Sequence, residues 1–329
     1  MDDIRYERIA IDSRNPALFA DIAAAPALRL TGELYLPGAD ATPPFAAVVA
    51  TDARGGLKAA REREYARHLA EAGYAVLVHD SYAARGFAGR AHPMRYVRVS
   101  EAAMLCDAFA AQAALAARDD IDAARIHHLG FGVGGMIALL SAFEQLRAAC
   151  GAGEGRFASH ASFYGLNALR VVDYRTTGAP AAIFYGGQDE TLNHARLDLM
   201  AGDLENGGSP VRATGYDAAG HEWDREAERP GVERVNLRAL AGWIEPGNRL
   251  VNDDSGRQIA SARARAIWLC RAASLFGVRK VRNEAVCRTA RADLLVHLDG
   301  TARGTQSEPA SDGATVVTLP VAGVAGRQV

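Results

Sequence analysis

Two residues capable of base chemistry close successive apolar runs in the second half of the chain. Asp189 ends Phe184-Tyr185-Gly186-Gly187-Gln188-Asp189, and His221 ends Tyr216-Asp217-Ala218-Ala219-Gly220-His221. A carboxylate that holds one imidazole nitrogen leaves the other free to take a proton, so an acid and a histidine at neighbouring strand ends make a general-base pair. The group such a pair activates is expected upstream, in His128-Leu129-Gly130-Phe131-Gly132-Val133-Gly134-Gly135-Met136. This segment lies between an apolar run and a helical stretch and has the spacing G-x-Nu-x-G, in which the central residue is lifted from the sheet on a positive-φ bend. The helix that follows favours developing negative charge at its N-terminus. Here the central residue is Gly132, which takes the bend without strain but brings no oxygen or sulfur to attack a carbonyl. A glycine-rich turn of this kind can also cradle a phosphate; its spacing, however, departs from G-x-G-x-x-G, and it follows the fifth predicted strand instead of the first.

The elements that must position these residues follow from hydrophobic periodicity. Residues 5–11 and 28–36 alternate apolar and polar, as half-buried antiparallel edge strands do. From Phe45 onward, apolar runs at 45–50, 75–78, 126–131, 158–164, 181–185 and 211–216 alternate with helical stretches at 58–72, 96–117, 134–149, 192–206 and 231–244. Strands apolar throughout and joined by helices belong in a parallel sheet covered on both faces, with right-handed crossovers placing the strand ends, and any ligand site, along one edge. Gly132, Asp189 and His221 all fall on that edge.

With the chain order of elbow, acid and histidine in place, the sequence resembles the dienelactone hydrolase family over about residues 28–245. The shared text includes Gly73-Tyr74-Ala75, Asp80-Ser81-Tyr82-Ala83, Phe163-Tyr164-Gly165, Gly186-Gly187-Gln188-Asp189 and Ala219-Gly220-His221. The resemblance implies an α/β-hydrolase fold with a mostly parallel eight-stranded sheet and helices on both faces, and a triad of Asp189, His221 and a nucleophile. The family places cysteine or serine where Gly132 stands. By the same resemblance the oxyanion hole is formed by backbone N–H groups of Val133 and of Ala53 or Arg54, Asp52 stands where the family has a glutamate beside the thiol, and Arg85 and Arg225 resemble a pair that holds a substrate carboxylate. A guanidinium fork suits that last task, although the chain is rich in arginine.

The remaining candidates are bland. His127, His128, His160 and His194 show no metal-ligand spacing, Cys106 sits on an apolar helix face with Ala103 and Phe109, and Ser141 is two turns beyond the elbow. Cys106, Cys150, Cys270 and Cys287 form no CxxC, so neither a disulfide framework nor a zinc site is expected, and no cofactor is implied. A formal net charge of −2 argues against nucleic-acid binding. No apolar stretch approaches a membrane span and Met1-Asp2-Asp3 lacks a signal-peptide pattern, so a cytoplasmic protein is expected. Residues 1–248 read as the hydrolase-like domain and 249–329 as an extension of unknown role. Residues 250–329 hold eleven Lys and Arg against seven Asp and Glu, leaving 26 against 32 before them. A helix near 258–276, strands near 293–298 and 314–320, and a possible oligomerisation role are expected there.

These observations predict a protein that acts on or binds a small ester, lactone or carboxylic acid. Three outcomes are open: general-base chemistry by His221 and Asp189 without an acyl-enzyme, a pseudoenzyme that binds ligand or partner without turnover, or an ordinary esterase deprived of its nucleophile.

Overall fold

The computed structural model describes residues 4–53, 56–88, 95–225, 231–233, 236–274, 278–303 and 315–317. Its centre is a sheet of eight long or medium strands: β1 Arg5–Arg14, β2 Ala27–Leu36, β3 Phe45–Thr51, β4 Ala75–His79, β5 Ile121–Phe131, β6 His160–Phe163, β7 Ala181–Gly186 and β8 Val211–Tyr216. They lie in the order β1-β2-β4-β3-β5-β6-β7-β8, and Thr315–Val317 adds a short antiparallel ninth strand beside β8. From β4 to β8 every pairing is parallel, whereas β1–β2 and β2–β4 are antiparallel. Burial follows the sequence pattern. Every residue of β3 and β4 is buried, while β1 alternates toward solvent.

Helices α1 Glu62–Glu71, α2 Glu101–Ala116, α3 Val133–Leu140 and α4 His194–Asn206 connect the strands. The two faces of the sheet carry separate cores. One gathers Leu105, Met136, Ile137, Leu140, Ile183 and Leu204; the other gathers Tyr65, Leu69, Phe131, Phe163, Phe184 and Trp223. The sheet histidines tie strands to helices: Ser141 Oγ lies 2.7 Å from His128 Nδ1 and 3.0 Å from His160 Nδ1, and Ser159 Oγ lies 2.8 Å from His127 Nδ1. His194 is exposed.

Two expectations after β8 are corrected. Residues 231–244 do not form a helix. Gly231–Glu233 is a strand paired with Val278–Lys280, and Gly242–Glu245 pairs antiparallel with Arg249–Asn252 and parallel with Leu169–Val171. Pro246-Gly247-Asn248 makes the hairpin turn, with both Gly247 and Asn248 at positive φ, and this turn fixes the flanking residues as strands. Nor is 293–298 a strand: it lies inside α6, Glu284–Arg303, which follows α5, Ala262–Ala272.

Described residues after 248 pack into the same two cores. Trp268 and Leu269 of α5 join the first, and Cys287, Ala290, Leu294 and Leu298 of α6 join the second at helical spacing. Arg265 is buried and forks onto Glu101 with two 2.8 Å hydrogen bonds, and the Tyr74 and Tyr216 hydroxyls donate to Asp299 and Asp293. Among the described residues no helix is long and apolar enough to cross a membrane.

Candidate active site

The bend between β5 and α3 has the expected geometry. Gly132 sits at φ 56°, ψ −114° immediately before α3. Its neighbours are glycines for another reason: a β-carbon at Gly130 would strike the carbonyl of Gly134, and one at Gly134 would strike the carbonyl of Thr51. At Gly132 a β-carbon would meet only Ala53 Cβ, at 3.5 Å, an ordinary contact. The site therefore has room for a side chain here, and the cost of one is backbone strain of about 1–3 kcal/mol for an L-residue in this sparsely populated conformation.

On the far side of the bend, the ends of β7 and β8 are pressed together. A β-carbon at Gly186 would lie 2.5 Å from the Ala219 carbonyl oxygen and one at Gly187 2.9 Å from Asp217 Cα, so only glycine permits this approach. The N–H groups of Gly187 and Gln188 donate to Tyr216 and Ala219 across the seam. The seam delivers Asp189 to His221, whose Nδ1–H donates to Asp189 Oδ2 at 2.8 Å. Thr191 gives Asp189 Oδ1 both its N–H, at 2.8 Å, and its hydroxyl, at 2.6 Å, and the same hydroxyl oxygen lies 3.0 Å from His221 Nδ1. Burial works to raise the Asp189 carboxyl, but His221 and the Thr191 hydrogen bonds more than offset it and its pKa is lowered. An ionised Asp189 has no proton to give, so it fixes the tautomer with hydrogen on Nδ1 and leaves the lone pair on Nε2.

A cavity of about 30 Å³ joins the two halves. Gly132, Val133, Ala53, Tyr164, Thr191, His221 and Glu222 line it, with Leu166 and Leu237 as apolar walls. That is room for about one water molecule. Val133 heads α3, where its N–H has no carbonyl within the helix to bond, and so is available as an oxyanion donor.

The structure separates the other expected residues from this centre. The Ala53 N–H donates to Glu62 Oε1 at 3.2 Å, which removes it as an oxyanion donor; Arg54 lies outside the described residues. Asp52 is fully buried and does not line the cavity, and among the described residues neither of its carboxylate oxygens has a hydrogen-bond partner. Burial, with Asp80 and Glu62 nearby, holds its pKa well above the usual carboxylate range. Arg85 does not face the cavity: its guanidinium forms a buried pair with Asp107, at 2.7 and 3.1 Å, and also bonds Asn15 and the carbonyls of Ser81 and Arg14. Arg225 is also absent from the lining, and its Nη1 donates to the Lys280 carbonyl at 3.0 Å. Neither arginine of the pair implied by resemblance lines this cavity.

Residues 32–245 match the model of the dienelactone hydrolase family. The chain belongs to that family. Among solved structures, this dienelactone hydrolase family member is similar to a Klebsiella pneumoniae chain described as a dienelactone hydrolase, at 19% identity, over 66% of this chain and 88% of that one, with a TM-score of 0.47. It is also similar to P91, a dienelactone hydrolase-like promiscuous phosphotriesterase from metagenomic libraries (18% identity, 66% and 84% covered, TM-score 0.44), and to the esterase Est2 of Thermogutta terrifontis (16%, 68% and 83%, 0.45). No curated protein matches the sequence.

Three polar residues of the site escaped the sequence reading: Thr191, Tyr164 and Glu222. Thr191 has a local signal, since a hydroxyl two residues after an aspartate commonly returns to its carboxylate. Tyr164 and Glu222 have none. Both hold positive φ, at 41° and 50°, and their partners are distant in sequence: the Tyr164 hydroxyl donates to Asp224 at 2.7 Å, while Glu222 is paired with Arg61 and Lys280. Burial pushes the Asp224 carboxyl up to about 6.

Proposed function

We propose that the protein hydrolyses small uncharged esters or lactones by direct attack of water, with His221 as base and without an acyl-enzyme. One observation carries this reading: a water-sized cavity has the vacant Gly132 bend and His221 in its lining, with Asp189 hydrogen-bonded to the imidazole from behind. His221 Nε2 takes a proton from a water molecule held there, and the water oxygen bonds to the substrate carbonyl carbon. The oxyanion faces the Val133 N–H at the head of α3. The tetrahedral intermediate then breaks its bond to the leaving oxygen, which receives the proton from His221, and acid and alcohol depart. Among the described residues no lysine or arginine lines the cavity, which favours uncharged substrates over carboxylates.

The expected outcome is slow turnover on an ester and lactone panel that disappears in His221→Ala and shows no burst of alcohol release. Gly132→Ser restores a side-chain nucleophile in an unobstructed position and is expected to add a burst and a covalent acyl adduct visible by mass spectrometry. The narrow cavity and the absent nucleophile support a second reading, a pseudoenzyme that binds without turnover. That reading requires the wild-type chain to be inert on the panel and His221→Ala to change nothing; turnover abolished by His221→Ala excludes it.

A further inference from the structure

The loop that carries His221 is gripped by a short stretch from outside the family-matched region. The Asn283 N–H donates to the Trp223 carbonyl at 2.8 Å, and Asn283 Nδ2 to the Ala218 carbonyl at 3.1 Å. Arg282 Nη1 donates to the carbonyls of Asp224 and Arg225, both at 3.1 Å, and Arg225 returns a bond to the Lys280 carbonyl. Lys280 then reaches Glu222, with Nζ 2.8 Å from Oε2, while Arg61 Nη1 stands 3.4 Å from Oε1. Glu222 directly follows His221, lines the cavity, and holds a φ of 50° that costs a non-glycine residue about 1–3 kcal/mol. Such a conformation persists only where its surroundings over-determine it, and here two cations fix the side chain while 280–283 fix the main chain on both sides.

We infer that Lys280–Asn283 is a working part of the active site: it clasps the 218–225 loop, and Lys280, acting through Glu222, is a positioning residue for His221. Packing alone needs no charge at these positions. A buried carboxylate beside the base does need compensating cations, because an uncompensated one would draw the imidazole or water toward itself. Arg61 is shared, since it also binds Glu62 with its Nε at 2.7 Å from Oε1, and Lys280 makes the shorter of the two contacts to Glu222, 2.8 Å against 3.4 Å. The clasp explains why residues after 248 matter to chemistry carried by residues before it.

This inference rests on the reading of the Asp189–His221 pair as the working base, and the test separates the two. Proton NMR of the full-length protein should show a downfield Nδ1–H resonance from that pair, assigned by its loss in Asp189→Asn. The clasp predicts that Lys280→Met and Glu222→Gln shift or lose this resonance with circular dichroism unchanged, that Lys280→Arg retains it, and that kcat for ester hydrolysis falls at least about tenfold in the first two variants with KM little changed. Glu222→Gln is nearly isosteric and keeps the measurement decisive if Lys280→Met fails to fold. A resonance unmoved in both folded variants overturns the clasp and leaves the base reading intact. A wild-type protein without the resonance overturns both.

Discussion

Asp52 and Asp189 are aspartates at the ends of parallel strands on either side of the Gly132 bend, and both are buried, yet their carboxyls are shifted in opposite directions. On the β7–β8 side, hydrogen bonds from Thr191 and His221 hold Asp189 ionised, and His221 and Thr191 line the cavity. On the β3–β4 side, the carboxyl of Asp52 has no partner, the Ala53 N–H serves Glu62, and Arg85 is committed to Asp107. One side pairs a carboxylate with an imidazole beside the Gly132 bend; the other commits its N–H and guanidinium groups to buried carboxylates. Burial by itself decides neither outcome. What separates them is whether donors meet the charged form.

The strongest test removes what the two sides share. Residues of α6 reach both, through Tyr74–Asp299 near β4 and Tyr216–Asp293 on β8. A chain ended at residue 248 loses Trp268, Leu269, Leu294 and Leu298 from the cores, at about 1.5–3 kcal/mol each, a total comparable with the ~5–15 kcal/mol stability of a whole domain. It also strands Glu101 without Arg265. No cooperative thermal transition is expected from the truncated chain, and a native-like melt would show that 249–329 is dispensable packing.

Next in size is the scaffold arginine. Arg85→Ala breaks a pair whose side chains are 4% and 0% exposed, leaves Asp107 buried without its cation, and is expected to cost about 3–5 kcal/mol in denaturant unfolding. Turnover per folded molecule should not change. His221→Ala should do the reverse, abolishing turnover at small cost in stability. A loss of substrate affinity in Arg85→Ala, with stability intact, would restore the clamp and erase the contrast between the two sides.

The legible parts of this molecule are those set by local pattern. Apolar runs at 45–50, 75–78 and 126–131 are fully buried strands because both sheet faces are covered, and Gly132, Asp189 and His221 were readable because each terminates such a run. Arg85 misled because its partner is a matter of packing: Asp107 lies on the second turn of α2, and Ser13 and Asn15, at and just beyond the end of β1, complete the network from far away in sequence. The same holds for Glu222, whose partners come from residues 61 and 280. Around 293–298 a run of apolar residues suited either a strand or a helix; the 287, 290, 294, 298 spacing decided it once α6 had a face of the core to cover.

The smallest expected effect is the most direct test of the opposed aspartates. Asp52 has a folded pKa above its unfolded value of about 3.9, so the folded state holds its proton more tightly and stability is lost as pH rises through that range. Asp52→Asn keeps the shape without the titration. Relative to wild type it should be nearly neutral near pH 4 and increasingly stabilising as pH rises above that. Asp189 has a lowered folded pKa, and its contribution is present above about pH 3.9 and lost below, so Asp189→Asn should be destabilising at neutral pH and less so in acid. Opposite slopes of the two differences against pH, read from parallel denaturant titrations, are the expected signature. Parallel slopes would mean that Asp52 has found a donor in solution, and that the β3–β4 side holds a second ionised carboxylate.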